Sequence, residues 1–312
     1  MNRNRTLACV LPFFLVIAAC NRTSPEQSAN QPLDLGVTFA PLELPAKSGS
    51  AHPQLTSSSK GAILSWLDQD EASTTLRFSE RTASGWSQPQ DVSTGKDWFI
   101  TAADVPSVLR LKNGTLVANW YPTTDEAIEA YDTQLSYSRD EGKTWAKAFS
   151  PHHDGTKTQH GFVSLLELAD GSLGMVWLDG RDQELNTTDP LGGSMALYFA
   201  SFDSSWKQNA ESIVNARVCE CCQTAAVTTA DGVLTAFRDR TAEEIRDVKV
   251  SRLENGKWTP ELSLHDDNWK IDACPINGPS LSARGRQVAA VWFAAPNDKG
   301  RAFVAFSQDA GK

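Results

Sequence analysis

Apolar residues in this chain recur in pairs of short strands rather than along a helical stripe. Five segments share one outline: an apolar strand, a short turn that often carries glycine, and a second strand often ending in tryptophan. They run from Pro53 to Trp66, Pro106 to Trp120, Val163 to Trp177, Thr224 to Phe237 and Pro279 to Trp292. The turn glycines Gly61, Gly114, Gly171 and Gly232 recur at roughly 50–60 residues, which suits a four-stranded propeller blade with long loops. Alternating apolar positions supply third strands at Leu76 and Phe78, Leu135 and Tyr137, and Val248 and Val250. The run from Met195 to Ala200 is apolar throughout and is expected to be the third strand of its blade. No long stretch has helical periodicity, so the pattern predicts an all-β propeller with five visible blades.

The N-terminus breaks this pattern. Arg3 and Arg5 precede an apolar run from Leu7 to Ala19 that is too short for a stable bilayer span. The run closes on Ile17-Ala18-Ala19-Cys20, which resembles a bacterial lipobox. That resemblance implies cleavage before Cys20, lipidation of its thiol and loss of Cys9 with the signal; Asn21 in the next position implies the outer membrane. Residues 21–32 are polar and rich in Ser, Asn and Gln, as in a flexible tether. The expected organisation is a signal peptide over 1–19, a lipidated cysteine and tether over 20–32, and a propeller over 33–312. The expected location is the bacterial cell envelope, facing the periplasm or the surface, with the lipid as membrane partner. The formal net charge of −9 argues against nucleic acid and leaves any anion site to local clusters.

The octet Ser138-Arg139-Asp140-Glu141-Gly142-Lys143-Thr144-Trp145 has the S-x-D-x-G-x-T-W form of an Asp box, and Ser307 to Lys312 begins a second copy. Asp140 is suited to cap backbone N–H groups, Gly142 to a positive φ, and Trp145 to fold back as an apolar plug. With the repeat around it, the chain resembles the sialidase-like (BNR/Asp-box) β-propellers. The resemblance implies six blades. Five are visible and the chain stops inside the second Asp box, so its last part reads as incomplete. Residues 33–44 are expected to supply one strand closing the ring; a five-bladed ring is the alternative. The resemblance also puts the Asp box on the turn opposite the ligand funnel, which makes Ser138, Asp140, Gly142 and Trp145 structural.

Most of the unusual chemistry falls on the funnel side. One group of loops carries Asp179-Gly180-Arg181-Asp182 and Arg238-Asp239-Arg240, followed by Glu243, Glu244, Arg246 and Asp247. The other carries His52, His152, His153, His160 and His265, together with Cys219-Glu220-Cys221-Cys222 and Cys274. Guanidinium forks bind carboxylates bidentately, and the resemblance implies a three-arginine clamp, an Asp acid/base and a Tyr nucleophile activated by Glu. Arg181, Arg238, Arg240 and Arg246 are the clamp candidates; Asp182, Asp239 and Asp247 are the acid/base candidates. The chain departs from the family twice. Ala51-His52-Pro53-Gln54-Leu55 stands where the family has an F/Y-R-I-P motif, and no tyrosine follows Tyr198. An inter-blade salt-bridge network is the other reading of Arg238-Asp239-Arg240.

Export favours disulfides among the cysteines. A thiolate site for Cu(I) or Zn, drawn from Cys219, Cys221, Cys222, Cys274 and His265, and a reactive thiol are the alternatives. Trp98, Tyr121 and Trp269 are placed to stack on sugar rings. The expected function is carbohydrate binding in the funnel, and exo-sialidase-type hydrolysis there is the first of three readings. A non-catalytic glycan- or protein-binding module and a metal-handling lipoprotein are the other two readings.

Overall fold

The computed structural model describes residues 38, 40–183 and 195–312. The chain divides into Met1–Glu43 and Leu44–Lys312. Of the first unit only residues 38 and 40–43 are described, and they form no regular element. The expected closing strand is therefore not formed over 40–44, and the rest of that segment, with Cys9 and Cys20, lies outside the described residues.

The second unit is a β-propeller with, among the described residues, five antiparallel blade sheets and a two-stranded ribbon of Thr123–Asp125 and Ala130–Tyr131. Blade 1 has Ala51–Ser58, Gly61–Gln69, Thr74–Thr82 and Gln90–Gly95; blade 2 has Ser107–Arg110, Leu116–Trp120 and Gln134–Ser138. Blade 3 has His160–Glu167, Leu173–Asp179, Met195–Phe202 and Gln208–Val218. Blade 4 has Ala225–Thr229, Gly232–Arg238, Val248–Glu254 and Leu262–Ser263, and blade 5 has Ser280–Arg284, Gln287–Ala294 and Arg301–Ser307. The repeat glycines are needed where they stand: Gly61, Gly114, Gly171 and Gly232 all have positive φ, a conformation costly for residues with a Cβ.

Apolar side chains fill the spaces between successive blades. Ile63, Leu76, Phe78, Val108, Leu116 and Trp120 pack between blades 1 and 2. Met175, Trp177, Tyr198 and Phe202 meet Leu111, Val117 and Leu135 between blades 2 and 3. The strand Met195–Phe202 is apolar on both faces because it contributes to this core and, through Leu197 and Phe199, to the core shared with blade 4. Each such side chain, fully buried, contributes about 1.5–3 kcal/mol. Among the described residues blade 5 is covered on one side only: Val291, Phe293, Val304 and Phe306 are exposed on its second and third strands.

The Asp140 turn is built as its residues suggest. Asp140 Oδ1 accepts from Thr144 N at 2.9 Å and from the Ser138 hydroxyl at 2.8 Å, and Oδ2 accepts from the Thr144 hydroxyl at 2.7 Å. These bonds pull its carboxyl down to about 2. Gly142 has φ +86°, and Trp145 meets Phe78 edge-on at 6.2 Å. In the corresponding turn of blade 3, Asp203 Oδ1 accepts from Ser205 N and Lys207 N, a cap the sequence pattern alone does not reveal.

Candidate functional site

Loops at the end of the propeller opposite the Asp140 turn gather two polar clusters around a central cavity. The cavity, of about 500 Å³, is walled by the inner strands of all five blades and the loops leading into them, including Gln54, Asp104, Phe162, Gln223 and Gly278. A larger cleft of about 730 Å³ lies at the Asp140 end between blades 2 and 3. Its wall charges are spent on one another or on backbone, as in Lys112 with Glu167 and Arg139 with the Ser204 carbonyl.

The first cluster joins blades 4 and 5. Arg238, Arg240 and Arg246 are each at most 2% exposed, and each guanidinium donates to protein acceptors. Arg238 bonds the carbonyls of Asn277, Arg246 and Phe293 and lies 5.0 Å from the Trp269 ring centroid. Arg240 and Arg246 share Glu244 and Glu220. Asp239 pairs with Lys249 at 2.7 Å, and Asp247 caps the N–H groups of Asn268 and Trp269. The salt-bridge reading of Arg238-Asp239-Arg240 describes these contacts. Arg181, in blade 3, is held by Asp179 and Glu211 and stacked over Tyr198, while Asp182 beside it is exposed. The four clamp candidates are not brought together around one open point.

The four cysteines do converge. Cys221 and Cys274 form a disulfide with Cα atoms 5.9 Å apart, while the buried thiols of Cys219 and Cys222 lie Sγ to Sγ at 2.8 Å. The hydrogen bond from Cys222 lowers the Cys219 thiol to about 7, and Arg246 Nη1 at 3.4 Å adds to the shift. Burial pushes Cys222 the other way. His265 is not part of this group: it is largely exposed, bonds Asp267 at 2.8 Å and stacks on Phe303. Trp98 stacks on Trp120, Tyr121 is wholly buried and Trp269 packs on Phe293, so their faces are occupied.

The second cluster joins blades 2 and 3; His152, His160 and Tyr121 stood out in the sequence, whereas Asp104, Tyr131, Asp132 and Asp154 did not. Asp104, in the loop entering blade 2, is 2% exposed on the cavity wall. Tyr131 donates to its Oδ2 at 3.0 Å, and its Oδ1 is buried with no partner. Burial raises this carboxyl to about 6, against hydrogen bonds from Tyr121, the Phe162 N–H and Tyr131. The Asp104 charge and burial together raise both tyrosines well above their ordinary value. Close approach is possible because residue 161 is glycine: a Cβ there would lie 1.9 Å from Asp104 Oδ2. A break in strand register follows at Gly161–Ser164, and Phe162 there has φ +54°.

Beside Tyr131 lies Asp132, which approaches His152 and His160. The two rings stack with centroids 3.7 Å apart, and Asp154 closes their opposite edge. His160 pairs across the strands with Asp179, which fixes it at the mouth of blade 3. A signal for this group was present: histidines on the loop entering blade 3, with a carboxylate two residues past His152. What the sequence lacked was Asp132, carried on a separate excursion of blade 2.

No protein-family model matches the chain, and no curated protein matches it in sequence. Solved structures do match. The α-L-arabinofuranosidase Arb93A from Fusarium graminearum, bound to an iminosugar inhibitor, superposes with a TM-score of 0.54 at 13% identity, covering 82% of this chain and 76% of that one. An α-L-arabinanase from Penicillium chrysogenum complexed with arabinobiose gives 0.50 at 16% identity, covering 83% and 76%. A variant of the NanB sialidase from Streptococcus pneumoniae gives 0.52 at 12% identity, covering 87% and 62%. At these identities the likeness is one of fold, and the chain is similar to β-propellers of that kind.

Proposed function

We propose that this protein is a carbohydrate-active propeller whose central cavity receives a sugar and whose Asp104 donates a proton to it. The observation that carries this reading is the state of Asp104: a buried carboxyl beside the cavity that keeps its proton to about pH 6, with Oδ2 pinned by Tyr131. A glycosidic oxygen brought to this carboxyl would take its proton as the bond to the anomeric carbon breaks, while a water adds to that carbon and gives up a proton to the medium. Tyr131 would then hold the carboxylate left behind. The fold neighbours include proteins crystallised with an iminosugar and with arabinobiose, which supports a carbohydrate ligand.

The engaged guanidiniums favour a neutral sugar over a sialoside. Arg181, Arg238, Arg240 and Arg246 all donate to groups of the protein itself, so a sugar carboxylate would have to displace existing ion pairs. A metal-handling role through the cysteines is weakened by two features: Cys221 and Cys274 are spent on each other, and Arg246 sets a positive charge against Cys219. Anchoring through Cys20 remains part of the reading and rests on Ile17-Ala18-Ala19-Cys20. Incorporation of labelled palmitate, lost in Cys20→Ser, tests it.

Hydrolysis is tested with the full-length protein against aryl arabinofuranosides, arabino-oligosaccharides and sialosides. The expected result is turnover of a neutral glycoside that falls above about pH 6 as Asp104 loses its proton. Asp104→Asn should lower kcat by about 10²–10⁴ with little change in KM. Binding without turnover would replace the enzyme with a non-catalytic module. Absence of both binding and turnover overturns the reading.

A further inference from the structure

We propose a binding site for one first-row divalent cation, of which Zn²⁺ is the probe, made by Asp132, His152 and His160, with Asp154 orienting both rings from behind. The inference is independent of the carbohydrate reading and concerns a different set of side chains.

The geometry decides which atoms would bind. On one edge of the stacked pair, Asp154 Oδ2 lies 3.2 Å from His152 Nδ1 and 3.2 Å from His160 Nε2. Asp154 is fixed for this task, because its Oδ1 accepts from the Thr156 N–H at 2.9 Å and from the Thr156 hydroxyl. Asp179 also nears His160 Nε2, at 3.6 Å, but its oxygens already accept from Trp177 and Arg181. The Asp154 contact to His152 Nδ1 is a hydrogen bond; His160 Nε2 has no hydrogen-bond partner, but two carboxylates flank it and favour its proton on that side. A carboxylate behind a ligating histidine commonly sets its tautomer in this way.

The other edge is then left with two lone pairs. His152 Nε2 and His160 Nδ1 lie 3.6 and 3.4 Å from Asp132 Oδ1, and neither nitrogen has a hydrogen-bond partner. His152 is 6% exposed and His160 is fully buried, so water does not readily satisfy them. Two acceptors and an anion meeting at such distances repel unless a cation sits between them. With bonds of about 2.1 Å, ligand atoms on a tetrahedral ion stand about 3.4 Å apart, close to the separations found here. The rings lie parallel, with 5° between their planes, so coordination would tip the two nitrogens towards each other. Two imidazoles and one carboxylate suit zinc, manganese or iron(II) and leave positions open. The Asp132 side chain is 27% exposed, which gives the ion a route in.

The rival arrangement is an extra proton on one ring, making an imidazolium between Asp132 and Asp154. Titration calorimetry of chelator-treated full-length protein with Zn²⁺ separates the two. Co²⁺ spectra add a second readout, since nitrogen and oxygen ligands give visible bands without the near-ultraviolet charge transfer of thiolates. The site should take one equivalent. Asp132→Asn and His152→Ala should each weaken binding on the order of 100-fold, and Asp154→Asn about 10–100-fold. Cys222→Ser should change nothing. His160→Ala removes a fully buried ring and can fail to fold, so the partly exposed Asp132 is the deciding position. Absence of binding at millimolar Zn²⁺, affinity unchanged in Asp132→Asn, or a thiolate band lost in Cys222→Ser each overturns the proposal.

Discussion

A single carboxyl carries both the proposed chemistry and a cost in stability. Folded Asp104 keeps its proton to about pH 6, whereas its ordinary value is 3.8. Between those values the folded state binds more protons than the unfolded chain, so stability falls as pH rises through that window. The full penalty, on the order of 3 kcal/mol, applies above pH 6. Asp104→Asn should therefore be more stable than the native protein at pH 7–8 and no more stable below pH 4, as urea melts across pH would read. Equal gains at both pH values would mean that ionisation is not the cause. Little in the sequence marks this residue. Asp104 lies between two alanines, a valine and a proline, and its environment is supplied by Tyr121, Tyr131 and Phe162 from other elements. Arg238, Arg240 and Arg246 were conspicuous for the opposite reason. Their clustering is visible in one dimension, but burial and pairing with Glu220 and Glu244 decide what they do.

Strands were more legible than sites, because period and turn chemistry are local. Third strands at Leu76, Leu135, Met195 and Val248 all form, and the Asp140 turn has the bonds its residue types allow. The part of a strand that positions chemistry is an irregularity, and no alternation predicts it. The inner strand of blade 3 slips register after Gly161, which lets Asp104 and Tyr131 close against the backbone. Gly161→Ala would place its Cβ 1.9 Å from Asp104 Oδ2 and 2.6 Å from a Tyr131 ring carbon. Neither neighbour is a free side-chain end, so the substitution should destabilise the fold by about 1–3 kcal/mol. It should also separate Tyr131 from Asp104. Thermal melts read the first effect, and the alkaline limb of any hydrolytic activity reads the second. A variant as stable as the native protein would show that this approach is looser than described.

At the scale of the molecule, the blades were countable from the sequence, whereas the ties between them were not. Gln223 spans the cavity, donating to the Ala103 carbonyl at 2.7 Å and accepting from Gly278 N at 2.8 Å, so one side chain links the entrances of blades 2, 4 and 5. Blade 5 depends on such links because its packing is one-sided. Val288 and Leu281 meet Leu234 and Val250 of blade 4, while Val304 and Phe306 face solvent. The Cys221–Cys274 disulfide holds the loop entering blade 4 to the loop entering blade 5 across 53 residues. Closing a loop of that length in the unfolded chain is worth about 4 kcal/mol. Cys274→Ser should lower the urea midpoint accordingly, and reduction of the native protein should bring its curve onto that of the variant. Losses should concentrate in blade 5, so amides of 287–294 should exchange faster while those of 173–179 keep their protection. Uniformly faster exchange would instead make the disulfide a support of the whole ring. An unchanged midpoint would leave blade 5 held by its other ties, among them Gln223, the Arg238–Asn277 bonds, the Trp292–Asp267 bond and its apolar face towards blade 4.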